Sequence, residues 1–383
     1  MKSACNRPVC GVCEQKLVKN GKTSSGRTRW RCLSCGASTV KSRPDISAKS
    51  QADLFIKWLL EGYSVNQLGV AKTSFATKCA WCWQIEVPKP QVSGEIYDQI
   101  LLDGIYLPYN WCLITATNGK QIIDWQWCQR ENAPAYQAIM NQLPAPKVVV
   151  TDGGAGIKTV LRNAWPNTRI QHCLFHIRAN TITDLTRNPK TVAAKTLLAL
   201  TKQLLTIKTP QEAANWIRLL NQWHQLYQDL INEKTYSTDP NTKTCWWWTH
   251  ERLRRAYKRL ERLSRSENLF TYLEPEFANK NIDSTTNQLE GGINAPIRRL
   301  LNTHRGLSEP HMKQAIQWLI NQKSTDPANP IKYLTNQHKH LDQEKLAQPM
   351  PHPTAPPQYD SAIDYNPKYQ DESLHIRKDW TGH

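Results

Sequence analysis

Residues 96–180 constrain the fold more than any other part of the chain. Three runs of strand formers come first, YDQILLDGIYLPYN (97–110) followed by WCLITATNGKQIIDWQWC (111–128). Asn118-Gly119 folds the second segment back on itself, because this pair adopts the tight turn that matches strand twist. Helical and strand patterns then alternate through ENAPAYQAIMNQL (131–143), KVVVTDGG (147–154), AGIKTVLRNAW (155–165) and TRIQHCLFHI (168–177). The order β-β-β-α-β-α-β-α predicts a mixed sheet with helices on its faces, hence a multidomain α/β protein.

The flanking regions differ in character. Residues 1–45 are basic and cysteine-rich. Residues 46–87 carry apolar residues at helical spacing, and 87–94 (VPKPQVSG) reads as a linker. From 185 to 283 the chain is helical and rich in Trp, Leu and Arg, and a further helix is expected over 308–322. Residues 324–383 are polar and proline-rich, the composition of a disordered tail, with Trp380 its one tryptophan. At 383 residues, two or three domains are expected. No apolar run is long enough to span a bilayer and no signal segment opens the chain, so a soluble, cytoplasmic location is expected.

The net charge of +17 favours a polyanionic partner, nucleic acid being the commonest. Eleven cysteines without an export signal argue for metal ligation rather than a disulfide framework. Cys10-Gly-Val-Cys13 and Cys32-Leu-Ser-Cys35 form two C-x2-C pairs, which supply four thiolates for one structural Zn2+ in a zinc ribbon. Between them Arg27, Arg29 and Arg31 surround Trp30, a composition suited to phosphate contact. Cys5 is spare, a bystander or an alternative ligand. Residues 50–61 and 72–85 fit the two helices of a helix-turn-helix, the second reading DNA. Cys79 and Cys82 lie within that second helix and have no partner pair, so a packing role is expected. Across 1–98, fifteen Lys/Arg against seven Asp/Glu support DNA contact.

Asp103 stands amid apolar strand residues, where an unpaired carboxylate is costly to bury and calls for a partner or a cation. Asp152 leaves the VVV strand into Gly153-Gly154, at the carboxyl end where open α/β sheets place their sites. If the two strands are neighbours, both carboxylates converge, and hard oxygen ligands suit Mg2+ or Mn2+. In STTNQLEGGINAPIRRLLNTHRG (284–306), Glu290 is the expected third ligand, sharing a helical face with Asn287 and Asn294 and near Arg298, Arg299 and Arg305.

Together LLDGIYL, VVVTDGGAGI, QHCLFHI and STTNQLEGGINAPIRR…HRG resemble the bacterial insertion-sequence transposases of the Mutator-like (MULE-type) DDE superfamily, over about residues 1–322. The resemblance implies a ribonuclease H-like catalytic domain at 95–184, continued at 284–323, with Asp103, Asp152 and Glu290 as its metal-binding triad. It implies that 185–283 is an all-α insertion domain. Cys173 and His176 match the family's Cys/Asp-x2-His signature, which makes them candidates for shaping the active-site floor or positioning a DNA strand. A homodimer or larger assembly on DNA follows from the need to bring two ends together.

Within the insertion, Arg252, Arg255, Arg259 and Arg262 line one face of a helix, and Leu253, Tyr257, Leu260 and Leu263 another. Seven Lys/Arg against three Asp/Glu between 250 and 267 favour DNA backbone contact for the basic face. Trp246-Trp247-Trp248 is expected in the core, the alternative being a ring that stacks on an unpaired base. The expected function is transposition: recognition of terminal inverted repeats, metal-dependent phosphodiester cleavage and strand transfer. Two alternatives stay open, a nuclease of the same fold that does not join strands, and a zinc-ribbon DNA-binding regulator with a vestigial catalytic domain.

Overall fold

The computed structural model describes residues 7–10, 13–24, 26–40, 44–238 and 245–347. The chain opens with a three-stranded antiparallel sheet of β1 (Val18–Lys22), β2 (Thr28–Arg31) and β3 (Ser38–Thr39). Two helices follow, α1 (Pro44–Glu61) and α2 (Lys72–Cys79), joined by a turn. The expected second helix extends to residue 85, but the structure ends it at Cys79 and tightens into a 3-10 turn over Ala80–Gln84. The Gln314 side-chain amide explains the difference, because it donates to the carbonyls of Cys82 (3.1 Å) and Ile85 (2.6 Å).

The centre of the fold is a five-stranded mixed sheet, as the segment order predicts. It comprises β4 (Gln99–Leu107), β5 (Trp111–Thr117), β6 (Ile122–Cys128), β7 (Val148–Thr151) and β8 (Arg169–His172), in the order β6-β5-β4-β7-β8. The β4–β5 and β5–β6 pairs are antiparallel, and β4, β7 and β8 run parallel. At the β5–β6 turn Asn118 Oδ1 accepts from the amides of Lys120 and Gln121, and Gly119 takes φ +94°. One sheet face buries Ile100, Leu102 and Val149 against α3 (Ala133–Met140) and α4 (Ala155–Ala164). Asn132 starts α3 by accepting the Ala135 amide at 3.1 Å, ahead of a first-turn proline.

After α5 (Leu174–Leu185) the chain builds a second core from α6 (Val192–Gln203), α7 (Pro210–Asn232) and α8 (Glu251–Arg265), in which Trp216, Trp223, Tyr257 and Leu260 are buried. Thr209 and Glu212 form a reciprocal capping box at the start of α7. A short hairpin of β9 (Lys234–Tyr236) and β10 (Trp246–Trp248) separates α7 from α8. The three tryptophans are not core residues as expected: Trp246 is 39% and Trp247 47% exposed. A two-stranded ribbon has no second layer to cover them, and cations sit on the rings instead, Lys234 Nζ 4.1 Å from Trp246 and the Arg254 guanidinium 3.8 Å from Trp248.

The chain returns to the sheet through α9 (Asn287–Leu289), a π turn at Glu290–Asn294, α10 (Ala295–Thr303) and α11 (Glu309–Asn321). The α1–α2 pair is docked on these helices: His304 Nε2 lies 2.9 Å from the Leu59 carbonyl, and Trp83 stacks on His311 at 4.1 Å. The segment expected as a linker is likewise pinned, since Lys89 reaches Asp124 Oδ1 (3.1 Å) and the Trp125 carbonyl (2.8 Å).

The tail composition assigned to 324–383 does not describe its first part. Ser324 bridges to Ile122 at the sheet edge, and α12 (Pro330–Ala347) follows with Leu334 fully buried. An apolar residue such as Leu334 gives this polar stretch a packed face. Residues 348–383, including Trp380, and Cys5 lie outside the described residues. Among the described residues no helix is long and apolar enough to cross a membrane.

Candidate active site on the mixed sheet

The parallel β4–β7 register runs Gln99↔Val148, Ile100↔Val149, Leu101↔Val150. Asp103 follows Leu101 by two residues and Asp152 follows Val150 by two, so the aspartates stand level on neighbouring strands. Strand alternation turns both to the face opposite α3 and α4. Asp152 is fixed by the Gly154 amide, which donates to its Oδ1 at 2.8 Å. Gly153 makes the turn at φ +77°, and a Cβ there would lie 1.9 Å from His172 Cε1.

Asp103 is pushed up to about 7, first by burial and then by the negative charges of Glu131, Asp152 and Glu290, with His176 opposing them. Asp103 thus lies within electrostatic reach of three further carboxylates. Glu290 sits on the π turn, a geometry that recurs at functional sites. Its carboxylate accepts from Asn294 Nδ2 (3.0 Å) and from Arg298, contacts that hold it below the ordinary glutamate range. Asn294 is thus the face-sharing partner expected, whereas the Asn287 side chain is exposed. Gly291 and Gly292, exposed with open space where a Cβ would stand, leave the backbone of this turn approachable. Among the described residues the three carboxylates do not draw within 4.8 Å of one another; Cys10, Cys13, Cys32 and Cys35 do, a group that could hold a metal ion.

Cys173 and His176 lie against this site from the start of α5. Cys173 Sγ accepts from the Thr286 amide (3.2 Å) and hydroxyl (3.3 Å), and His176 Nδ1 lies 3.4 Å from the same hydroxyl. Burial alone would raise the Cys173 thiol, but hydrogen bonds from His176 and Thr286 bring it below its ordinary value. His176 is pushed up to about 9, first by its hydrogen bond with Cys173 and then by the negative charges of Cys173, Asp103 and Asp152. The raised value favours the imidazolium form of His176 beside the carboxylates.

Sequence patterning missed Glu131. Its oxygens bond the Tyr136 hydroxyl (2.8 Å) and the Cys112 thiol (3.8 Å), and its side chain fills the space over Gly104, where a Cβ would meet it at 2.5 Å. Burial pushes its carboxyl up. The available signal was an acidic residue just past the carboxyl end of β6, which points the same way as β4 and β7.

The other expected site residues separate into groups. Arg27, Arg29, Arg31, Arg252, Arg298, Arg299 and Arg305 are exposed, with Arg298 engaged by Glu290. Arg255 and Arg259 instead converge on Asp184, a buried carboxylate on α5, with Arg255 Nη2 2.7 Å from Oδ1 and Arg259 Nη1 2.7 Å from Oδ2. These two arginines neutralise a buried charge, which was invisible without knowing that α5 packs on α8. At the N-terminus Cys10 lies 3.6 Å from Cys35 and Cys13 3.3 Å from Cys32, sulfur to sulfur. The Cys35 amide leads the contacts that pull the Cys32 thiol down, while hydrogen bonds with Cys32 and Cys35 push the Cys13 thiol up, so the cluster shares its protons unequally. Cys79 and Cys82 are buried, and the Cys79 thiol donates to the Gln51 carbonyl at 3.6 Å.

Two half-buried carboxylates thus stand at neighbouring strand ends, with a third acid, Glu290, brought in by a later helical turn. Residues 109–180 match the MULE transposase domain family, a stretch that holds Asp152, Cys173 and His176 and lies between Asp103 and Glu290. The chain is also 27% identical over 112 residues to a transposase for insertion sequence element IS905 of Lactococcus lactis subsp. lactis (strain IL1403). That similarity covers 25% of this chain and 29% of the relative, so the chain spans under a third of the length of the protein it matches. Both similarities support a Mutator-like insertion-sequence transposase.

Proposed function

We propose that the protein binds the terminal inverted repeats of its insertion sequence, cleaves a phosphodiester bond there and transfers the freed 3′-hydroxyl to target DNA. The observation that carries this is the level placement of Asp103 and Asp152 on adjacent parallel strands, with Glu290 within reach of their charge. A ribonuclease H-like core organised as a DDE triad accounts for all three positions.

Three hard-oxygen side chains, one of them pushed up first by burial and then by neighbouring negative charge, make a site that a divalent cation would relieve. Asp103, Asp152 and Glu290 would hold Mg2+ or Mn2+, which when bound supplies activation of the attacking oxygen and stabilisation of the leaving one. The Gly154 amide fixes Asp152, while Asn294 and Arg298 orient Glu290. His176 lends positive charge from α5, next to where the scissile phosphate would lie. The zinc ribbon, carrying Arg27, Arg29 and Arg31, and the α1–α2 pair acting as a helix-turn-helix would read the ends, with Arg252, Arg298, Arg299 and Arg305 on the backbone. Two ends joined in one event call for at least two copies of the chain.

The test incubates full-length protein, end-bearing DNA and a target plasmid with Mn2+. Joined end–target products support transposition. Cutting without any joining supports the nuclease alternative, and end binding without cutting supports the regulator.

A further inference from the structure

Beside Asp152, on the far side of Gly153, lies a cavity of about 260 Å³ between α4, the end of β8 and α8. Lys158 and Arg162 of α4 and Arg262 of α8 line it, with Ser266 and Asn268 offering neutral polar groups, and no Asp or Glu is among the lining residues. The neighbouring cations on α8 are satisfied: Arg255 and Arg259 by Asp184, Lys258 and Arg265 by Glu261. Lys158, Arg162 and Arg262 have no carboxylate partner among the described residues. Nor are they far apart in electrostatic terms. Burial and the Arg262 charge pull Lys158 below the ordinary lysine range, against the opposing charge of Asp152. Like charges gathered around one concavity repel unless an anion joins them.

We propose that this cavity holds a backbone phosphate of the bound DNA, flanking the reacting phosphate and clamped between Lys158 and Arg162 of the catalytic sheet layer and Arg262 of the insertion. The inference rests on DNA being the substrate. Three features fit a phosphate there. Guanidinium and ammonium groups match its charge and its several acceptor oxygens. Gly153 lines the cavity and follows Asp152 directly in the chain, so a phosphate in the cavity and one at the carboxylates can belong to one strand. The His172 ring packs against Gly153 and closes the cavity wall on that side. The clamp also gives the insertion a function, because one phosphate bound from both sides ties α8 to the catalytic strand ends.

The experiment measures binding of full-length protein to end-bearing duplexes in which single phosphates near the cleavage point are replaced by neutral methylphosphonates. It compares the wild type with K158Q/R262Q, with R262K, and with R218Q, an exposed α7 arginine whose guanidinium donates to Asn215. One methylphosphonate position is expected to weaken wild-type binding, and the same position is expected to be silent in K158Q/R262Q. The double variant should also lose about one unit of the log–log salt slope, the counterions of a single phosphate. R262K should keep the wild-type pattern because it keeps the charge, and R218Q should keep it because it lies elsewhere. An interference pattern in K158Q/R262Q identical to the wild type overturns the inference while leaving DNA binding intact. Failure of the wild type to bind DNA overturns the proposed function and this inference together.

Discussion

Asp103 and Asp152 stand level on adjacent parallel strands, each two residues past the Leu101↔Val150 pair. Neither position is adjustable. The strand interiors are buried on both faces, and a one-residue slip would carry either aspartate to the side occupied by α3 and α4.

Gly153 is the narrowest point of this arrangement. Gly153→Ala places a methyl group on the His172 ring at a backbone angle that L-residues avoid. The substitution is expected to destabilise the fold by roughly 2 kcal/mol or more, combining left-handed strain with overpacking. Urea unfolding measures it, and a loss below about 0.5 kcal/mol would show that the His172 contact yields easily.

Asp103 should make the metal-free protein pH-sensitive. Its folded value of about 7 lies above the ordinary 3.8, so folding favours the protonated form. The stabilisation is complete below about pH 4 and is lost as pH rises through 7. Asp103→Asn is therefore expected to raise Tm of metal-free protein at pH 8 and to leave it nearly unchanged at pH 4. Glu131→Gln should lower the pH at which wild-type stability falls. Equal Tm changes for Asp103→Asn at both pH values would sink the idea.

The arginines of α8 should divide into two kinds. Arg259→Ala leaves Asp184 partly uncompensated and is expected to cost about 3 kcal/mol, with DNA affinity of the folded fraction little changed. Arg252→Ala, at an exposed position, is expected to leave Tm alone and to weaken DNA binding at low salt more than at high salt. Chemical denaturation and a binding titration on the same two variants separate the roles; the reverse pattern would reassign both.

The ribbon should hold one Zn2+ per chain. Cys10→Ser or Cys32→Ser is expected to abolish that zinc, and Cys79→Ser/Cys82→Ser to leave it in place. Metal analysis of the purified variants decides, and zinc lost from the Cys79/Cys82 variant would overturn the packing role given to those thiols.

What could be read directly from residues was local. The Asn118-Gly119 turn, the alternation that orders the sheet, the paired C-x2-C spacing and the aspartates at strand positions all leave short-range signatures. What escaped was made by chain segments distant in sequence. Glu131 reaches its place through the packing of α3 on the sheet. Arg255 and Arg259 meet an aspartate on α5, and Gln314 ends a helix more than two hundred residues before it. The exposed tryptophans failed for a different reason: apolarity predicts burial only where a second layer exists to provide it. The π turn at Glu290 left no signature of its own in a stretch whose spacing fits an ordinary helix.

The most direct measurement is end joining in Mn2+ by Asp103→Asn, Asp152→Asn and Glu290→Gln, each normalised to its own DNA occupancy. The account predicts that each variant binds end DNA and that joining falls by at least about 100-fold in all three. Joining within a few-fold of the wild type in any one of them would contradict the assignment of that carboxylate to the active site.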